Sequence, residues 1–424
     1  MKSPLKPPLK RRSALRTVTL PLATALGIMT RPDPLNRSSE PESRFPKRLL
    51  IKKEVKMIQK LAVLILPAGI DCNLSCSYCY HSGVRKRNVP MEIMSLEVLR
   101  EAMDGSRDIA PNIDFLYHGG EPMLAGLDFY QKTLDIQRKL EFRGKARNIL
   151  QTNGVLINDS WVNFIVKNGF FISVSLDGPE NLHNKNRYMI NCRGIKSGTH
   201  SLVKNGIQKM IARGRQVGAI AVITTINVNY PAEVYQALKS SGVRTCVFHL
   251  YSKDEGAQNN DLAPTDEAAS SFFKQVFDLW FKEDNPSFMI RNFRNVVRVF
   301  FGGKALDCAS NYNYCRRFIA VAPNGDVYPC HRFVGRNDFK IGNVLERRLS
   351  VIYKQNADMY EEMATIPQKC FSCRWFKLCG GGCSYERFVA NGKFQSTHPE
   401  CNVKQQLFFY INNAIKKAGF RDDR

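Results

Sequence analysis

Cys72, Cys76 and Cys79 stand in the order Cys-x3-Cys-x2-Cys. Three thiolates from one short segment can hold three irons of a cubane iron-sulfur cluster and leave the fourth iron without a protein ligand, and that open iron is a place for chemistry. A tetrahedral structural zinc is the alternative for the same residues, with His81 near enough in sequence to complete the set. Eight of the 13 cysteines lie further on: Cys308, Cys315, Cys330, Cys370, Cys373, Cys379, Cys383 and Cys401. Eight thiolates divide into two sets of four, which suits two further clusters or two four-cysteine zinc sites. Disulfides do not suit cysteines that are to serve as thiolate ligands of a metal.

The elements that position these residues follow from periodicity. Apolar runs predict strands at Leu61–Leu66, Ile113–Tyr117, Arg147–Gln151, Phe171–Leu176, Ala219–Ile226 and Cys246–Leu250. Between them, apolar residues every three or four positions predict helices at Ser95–Met103, Leu127–Leu140, Ser160–Lys167, Gly198–Arg213 and Ala232–Ser240. Six strands alternating with five helices demand right-handed crossovers and a parallel sheet, open or curved into a partial or complete barrel. Chemistry in such folds gathers at the C-terminal strand ends. Four polar, glycine-rich segments fall there: the cysteine loop Pro67–Tyr80, His118–Pro122, Gln151–Gly154 and Ser175–Pro179.

The 424 residues are 44% hydrophobic and 24% charged, a globular composition with length for two or three domains, and no apolar run is long enough to cross a bilayer. The net charge of +24 alone would suggest an anionic partner such as nucleic acid. Residues 1–56, however, hold 14 Lys or Arg against 4 Asp or Glu and eight of the 20 prolines, so much of the excess lies in a basic segment without lasting period. That segment is expected to be a disordered extension, a presequence or the product of a start upstream of Met57. The expected divisions are 1–56, a core at 57–252, a polar linker and helical segment at 253–306 with a helix over Ala268–Phe281, and a separate cysteine-rich domain at 307–424.

The run Cys72-Asn73-Leu74-Ser75-Cys76-Ser77-Tyr78-Cys79-Tyr80 resembles the cluster motif of the radical SAM enzymes. The resemblance implies a partial (β/α)6 TIM-like barrel and an open iron that chelates S-adenosylmethionine, whose one-electron cleavage gives a 5'-deoxyadenosyl radical. It also assigns the other rim loops. Gly119 and Gly120 would allow close backbone approach, Glu121 would hold the methionyl ammonium, and Ser175 and Asp177 would meet ribose or methionyl polar atoms. Arg187 would pair with the carboxylate, and Tyr78 would flank the adenine. His118, Cys192 and Cys246 receive no role.

The C-terminal spacing resembles the SPASM extension, a small cysteine-rich α+β domain with two auxiliary 4Fe-4S clusters. By that pattern Cys308, Cys315, Cys330 and Cys383 hold the inner cluster and Cys370, Cys373, Cys379 and Cys401 the outer one, for three 4Fe-4S clusters in all. Gly380-Gly381-Gly382 would let the chain turn between the two sets. Proteins with this architecture act on a precursor peptide or protein, take electrons from a reductant such as flavodoxin or ferredoxin, and are expected in the cytoplasm, with no nucleic acid involved.

Two kinds of activity compete. Peptide maturases crosslink side chains oxidatively, and anaerobic sulfatase maturases oxidise Cys or Ser to formylglycine. The latter group has an Asp immediately after the third cysteine of the C-terminal domain, where this chain has His331 in Cys330-His331-Arg332-Phe333. Histidine can accept a proton near neutral pH, so His331 is the candidate base. The wording around it favours the crosslinking group. A metal-stabilised basic binding module is the reading from another class.

Overall fold

The computed structural model describes residues 58–81, 92–252 and 260–419. The expectations for the basic extension lie outside the described residues, as does the middle of the polar stretch after Tyr251. The strands are Lys60–Ile65 (β1), Asn112–Tyr117 (β2), Ala146–Thr152 (β3), Phe171–Ser175 (β4), Tyr188–Ile190 (β5), Lys196–Gly198 (β6), Val217–Ile223 (β7), Thr245–Leu250 (β8), Met289–Ile290 (β9), Phe318–Val321 (β10), Asp326–Tyr328 (β11) and Gly342–Asn343 (β12). Ten of them form one sheet in the order β12-β11-β10-β1-β2-β3-β4-β7-β8-β9. The six expected strands pair in parallel as neighbours in chain order and make a partial barrel.

Apolar side chains on both faces of the central strands suit the parallel arrangement, because one face lines the barrel interior and the other is covered by the crossover helices. In β1 all residues from Val63 to Ile65 are buried, and β7 buries every second side chain. The crossover helices Leu96–Ser106, Gly126–Lys139, Asp159–Lys167, His200–Ala212 and Pro231–Ser240 supply that cover. Their starts are written locally: Ser95 caps the first by accepting from the Val98 amide, and Asn158 caps the third by accepting from Trp161. Thr265 does the same for Asp266–Glu283.

Four expectations change. β7 stops at Ile223 because Asn227 folds back, accepting from the Thr224 amide and donating to the Val222 carbonyl. The fourth crossover helix begins at His200, since Gly198 ends the hairpin β5–β6, which pairs antiparallel. A further helix, Arg291–Phe300, buries Phe293, Val296 and Val297. The fourth change concerns the cysteine-rich region, which is continuous with the barrel: β10 pairs in parallel with β1, matching Ala62 to Phe318 and Ile65 to Val321, and β11 and β12 extend the sheet antiparallel.

Candidate active site: a cysteine loop at the barrel rim

The loop after β1 is held from both sides of the barrel mouth. From the β3 end, Asn153 Nδ2 donates to Asn73 Oδ1 at 2.7 Å and approaches Cys72 Sγ at 3.6 Å. From the segment after β4, the carbonyls of Asn186 and Tyr188 accept the amides of Ser77 and Ser75 at 3.0 and 2.9 Å. From the β2 end, the amides of Gly120 and Glu121 donate to the carbonyls of Gly69 and Asp71 at 3.0 and 2.7 Å. This last contact explains the glycine pair. A Cβ on Gly119 would stand 2.3 Å from the Gly69 carbonyl oxygen, and one on Gly120 would stand 1.9 Å from that of Asp71. The cysteine loop by itself already excludes a side chain at both positions.

Glu121 is fully buried, with Oε1 accepting from the Met123 amide and Thr152 Oγ1 and Oε2 from the Asn153 amide. Burial pushes its carboxyl up to about 7 against those hydrogen bonds. Through these bonds Glu121 ties the β2 and β3 loops together.

Asp177, also fully buried, accepts from Tyr78 Oη at 2.5 Å and Arg187 Nε at 2.9 Å on Oδ2, and from the Val222 amide at 2.9 Å on Oδ1. These partners hold Asp177 in place at the β4 end. The Arg187 guanidinium lies 5.2 Å from the centre of the Tyr78 ring. Burial works against the Arg187 charge, but Asp177 and then Tyr78 and Cys76 outweigh it and raise its pKa. Ser175 closes β4 half-buried. Tyr78 is packed as well as placed at the rim, and burial raises its phenol far above the ordinary range.

The thiols sort themselves into three neighbourhoods. Cys76 is pushed up to about 12, by burial first and then, against the lowering effect of Arg187, by Cys79 and Cys72. Cys308 is raised by burial and then by Cys383, Cys330 and Cys315. Cys370 is pushed up to about 11 by burial and then by Cys379, Cys401 and Cys373. The last four also line one cavity together with His398 and Lys404. Crowded buried thiols resist ionisation unless a positive centre accepts them, so sets of three, four and four fit the donor requirement of iron-sulfur clusters. Gly380, Gly381 and Gly382 all have positive φ, and the neighbours that exclude a Cβ at Gly380 and Gly382 are the Ser310–Asn311 backbone and the His398 ring. Cys246 is buried and Cys192 is exposed, apart from these sets.

His331 sits where the cysteine-rich region meets the barrel rim, its Nδ1 3.5 Å from Cys330 Sγ and its ring 4.5 Å from that of His118. Tyr80 approaches it edge-on at 6.3 Å. Burial, then His118, Arg332, His81 and His249, hold its pKa well below the ordinary imidazole value. His118 itself is lowered to about 4 by burial and His249. Its Nδ1 accepts from the Gly119 amide, which fixes the proton of the neutral ring on Nε2. His249, second from the end of β8, is held below its ordinary pKa by burial first, with Glu386 acting in the opposite sense. Reading every strand end for titratable groups would have found His249 in the sequence beside His118.

Comparison with known proteins places this geometry. A profile of the Radical SAM superfamily matches residues 67–241, and one of the SPASM iron-sulfur cluster-binding domain matches 313–383. The chain is 32% identical over 370 residues to a cysteine-type anaerobic sulfatase-maturating enzyme of Clostridium perfringens, covering 82% of this chain and 96% of the relative. It belongs to the radical SAM/SPASM enzymes, in the family of the anaerobic sulfatase maturases. A serine-type anaerobic sulfatase-maturating enzyme of Bacteroides thetaiotaomicron is 30% identical, with 77% and 83% coverage. The solved structure of native anSMEcpe with bound AdoMet superposes with a TM-score of 0.75 at 29% identity, over 85% of this chain and 99% of that one.

The zinc alternatives give way to iron-sulfur chemistry, and the binding-module reading gives way to an enzyme acting on a protein or peptide side chain. The preference for crosslinking maturases is corrected too. Streptococcus suis SuiB bound to precursor peptide SuiA shares the fold at a TM-score of 0.60, but at 18% identity over 81% of this chain and 76% of that one. No helix among the described residues is long and apolar enough to cross a membrane.

Proposed function

We propose that this radical SAM/SPASM enzyme is an anaerobic sulfatase maturase, oxidising a Cys or Ser side chain of a sulfatase-type protein to formylglycine. The observation that carries this reading is the similarity to cysteine-type and serine-type maturases along 96% and 83% of their lengths. Cys72, Cys76 and Cys79 would hold the cluster that binds S-adenosylmethionine, and two auxiliary clusters would be held by Cys308, Cys315, Cys330 and Cys383 and by Cys370, Cys373, Cys379 and Cys401. Reduced and loaded, the first cluster supplies the electron that cleaves the sulfonium to a 5'-deoxyadenosyl radical.

The protein's own groups would do the rest. Arg187, held through Nε by Asp177 and near enough to Cys76 to favour its thiolate, would offer its other guanidinium nitrogens to the methionyl carboxylate. Gly119 and Gly120 would keep the rim backbone close to the cofactor, Ser175 would offer a hydroxyl at the β4 end, and Tyr78 would wall the nucleoside side. Glu121 and Asp177 would act by holding loops and partners. His331, at the junction of barrel rim and inner thiol set and in place of the family's Asp, would take the substrate proton. The substrate would be a peptide segment entering the mouth lined by His118, His249 and His331; the reductant would be a small one-electron carrier such as flavodoxin or ferredoxin.

The test is to incubate reconstituted enzyme anaerobically with S-adenosylmethionine, a reductant and a sulfatase-type peptide. A Cys peptide should lose about 18 Da and a Ser peptide about 2 Da, each product reacting with hydrazine as an aldehyde. His331→Ala should slow peptide oxidation more than uncoupled cofactor cleavage, and His331→Asp should restore it. A 2 Da loss without an aldehyde would reinstate crosslinking.

A further inference from the structure

A line of buried charged and polar side chains runs from one C-terminal thiol set to the other. Arg332, two residues after Cys330, points its Nη1 at Cys383 Sγ at 4.0 Å while donating to Glu386 Oε1 at 2.6 Å. It is also packed over the Tyr385 ring at 4.3 Å. The second carboxyl oxygen, Glu386 Oε2, lies 2.6 Å from His398 Nε2. His398 is buried, and its ring excludes any side chain at Gly382. Beyond it, Lys404 Nζ stands 3.4 Å from His398 Nε2 and 3.4 Å from Glu400 Oε2. Lys404 and His398 both line the cavity of Cys370, Cys373, Cys379 and Cys401.

The tautomer of His398 can be assigned. Its Nδ1 accepts the Glu400 amide at 3.1 Å, so in the neutral ring the proton is on Nε2 and is donated to Glu386. The carboxylate of Glu386 lies between two cations, Arg332 on the side of one thiol set and Lys404 on the side of the other. Burial opposes both cations, but Glu386 and Cys383 more than offset it at Arg332, and Glu400 and Cys379 do so at Lys404. Burial would also raise the Glu386 carboxyl; Arg332, His398 and Lys404 together pull it well below the carboxylate range. Arg387, in contrast, is held by the carbonyls of Met363, Thr365 and Phe394, which makes it a fixed brace.

We propose that Arg332 and Lys404 are positioning residues that set the reduction potentials of the inner and outer auxiliary clusters separately, with Glu386 and His398 as the rigid link that opposes and aligns them. The inference rests on the reading that the two thiol sets hold clusters; it does not depend on which side chain is oxidised. A cation beside a thiolate ligand favours the extra electron on the reduced cluster, and a carboxylate disfavours it. Arg332 therefore raises the inner potential, Lys404 raises the outer one, and Glu386 lowers the inner one.

The test uses the full-length chain, reconstituted anaerobically and carrying Cys72→Ala, Cys76→Ala and Cys79→Ala, so that iron signals come from the auxiliary sites alone. Potentials are read by redox titration followed by electron paramagnetic resonance. Arg332→Gln should make reduction of one cluster about tenfold less favourable, ~59 mV for one electron. Lys404→Gln should lower the potential of the other cluster, and Glu386→Gln should shift the Arg332-dependent cluster upward. Both cations moving the same potential, or Glu386→Gln moving it downward, would overturn the proposal, as would unmoved potentials at full iron content. If Arg332→Gln does not load iron, the sign of the Glu386→Gln shift decides. A background that retains far fewer than about eight irons would remove the two-cluster reading and the inference with it.

Discussion

Asp177→Asn is the substitution with the most to say about how the site is built. Its two oxygens accept from Tyr78, Arg187 and Val222, and Asp177 and Arg187 expose 0% and 8% of their side chains. Asparagine keeps the volume and can still accept the Val222 amide through its oxygen. It then presents an NH2 to the Tyr78 hydroxyl and the Arg187 Nε–H, and removes the charge that balances the guanidinium. Breaking a buried pair from one side costs about 3–5 kcal/mol, because the surviving charge stays desolvated and uncompensated. Urea unfolding under anaerobic conditions should show an apparent loss of that size. Arg187→Met in the same chain should then recover part of it, with a coupling of roughly 2 kcal/mol in the double-mutant cycle. Additive losses, or a loss under about 1 kcal/mol for Asp177→Asn alone, would show that the ion pair does not organise the rim.

Two further outcomes follow from the thiol sets and the barrel mouth. Reconstituted protein should approach about 12 irons per chain, and alanine at Cys72, Cys76 and Cys79 together should remove about a third, read by iron analysis. His118, lowered to about 4 from 6.5, binds fewer protons folded than unfolded between those values, so its contribution is intact above pH 6.5 and is lost as pH falls toward 4. At pH 5.5 it should cost on the order of 1 kcal/mol relative to pH 8, and urea titrations at the two pH values should show His118→Gln reducing the pH dependence by that share, the other buried histidines supplying the rest.

What the sequence made legible was local. The cysteine loop, the alternation of strands and helices and the polar strand ends were readable because each is set by spacing within about a dozen residues. Contacts between loops were not. Asp177 and Arg187 were each read singly, and nothing in the nine positions between them says that the helix Glu180–Asn186 turns the chain so that they also meet each other. Gly119 and Gly120 signalled close approach without naming what approaches. The hairpin β5–β6 is only three residues per strand, and Lys196-Ser197-Gly198 has no apolar alternation to announce it. Phe293, Val296 and Val297 did carry a helical period, so the helix Arg291–Phe300 could have been read. The grouping of the eight C-terminal thiols came from a family resemblance, because spacing along the chain does not say which four converge.

The pairing of β10 with β1 bears on how such an enzyme can be taken apart. Without the C-terminal region, the backbone groups of Ala62 to Ile65 would lose their ladder partners, and one of the most apolar strands of the protein would become a bare sheet edge. Bare apolar edges recruit strands from other molecules. The cysteine-rich region therefore also works as an edge guard against self-association, and a barrel cut before Asp307 should aggregate whether or not its own cluster is loaded. Exchange of this region between relatives has to preserve the register of four residue pairs as well as the cysteine spacing.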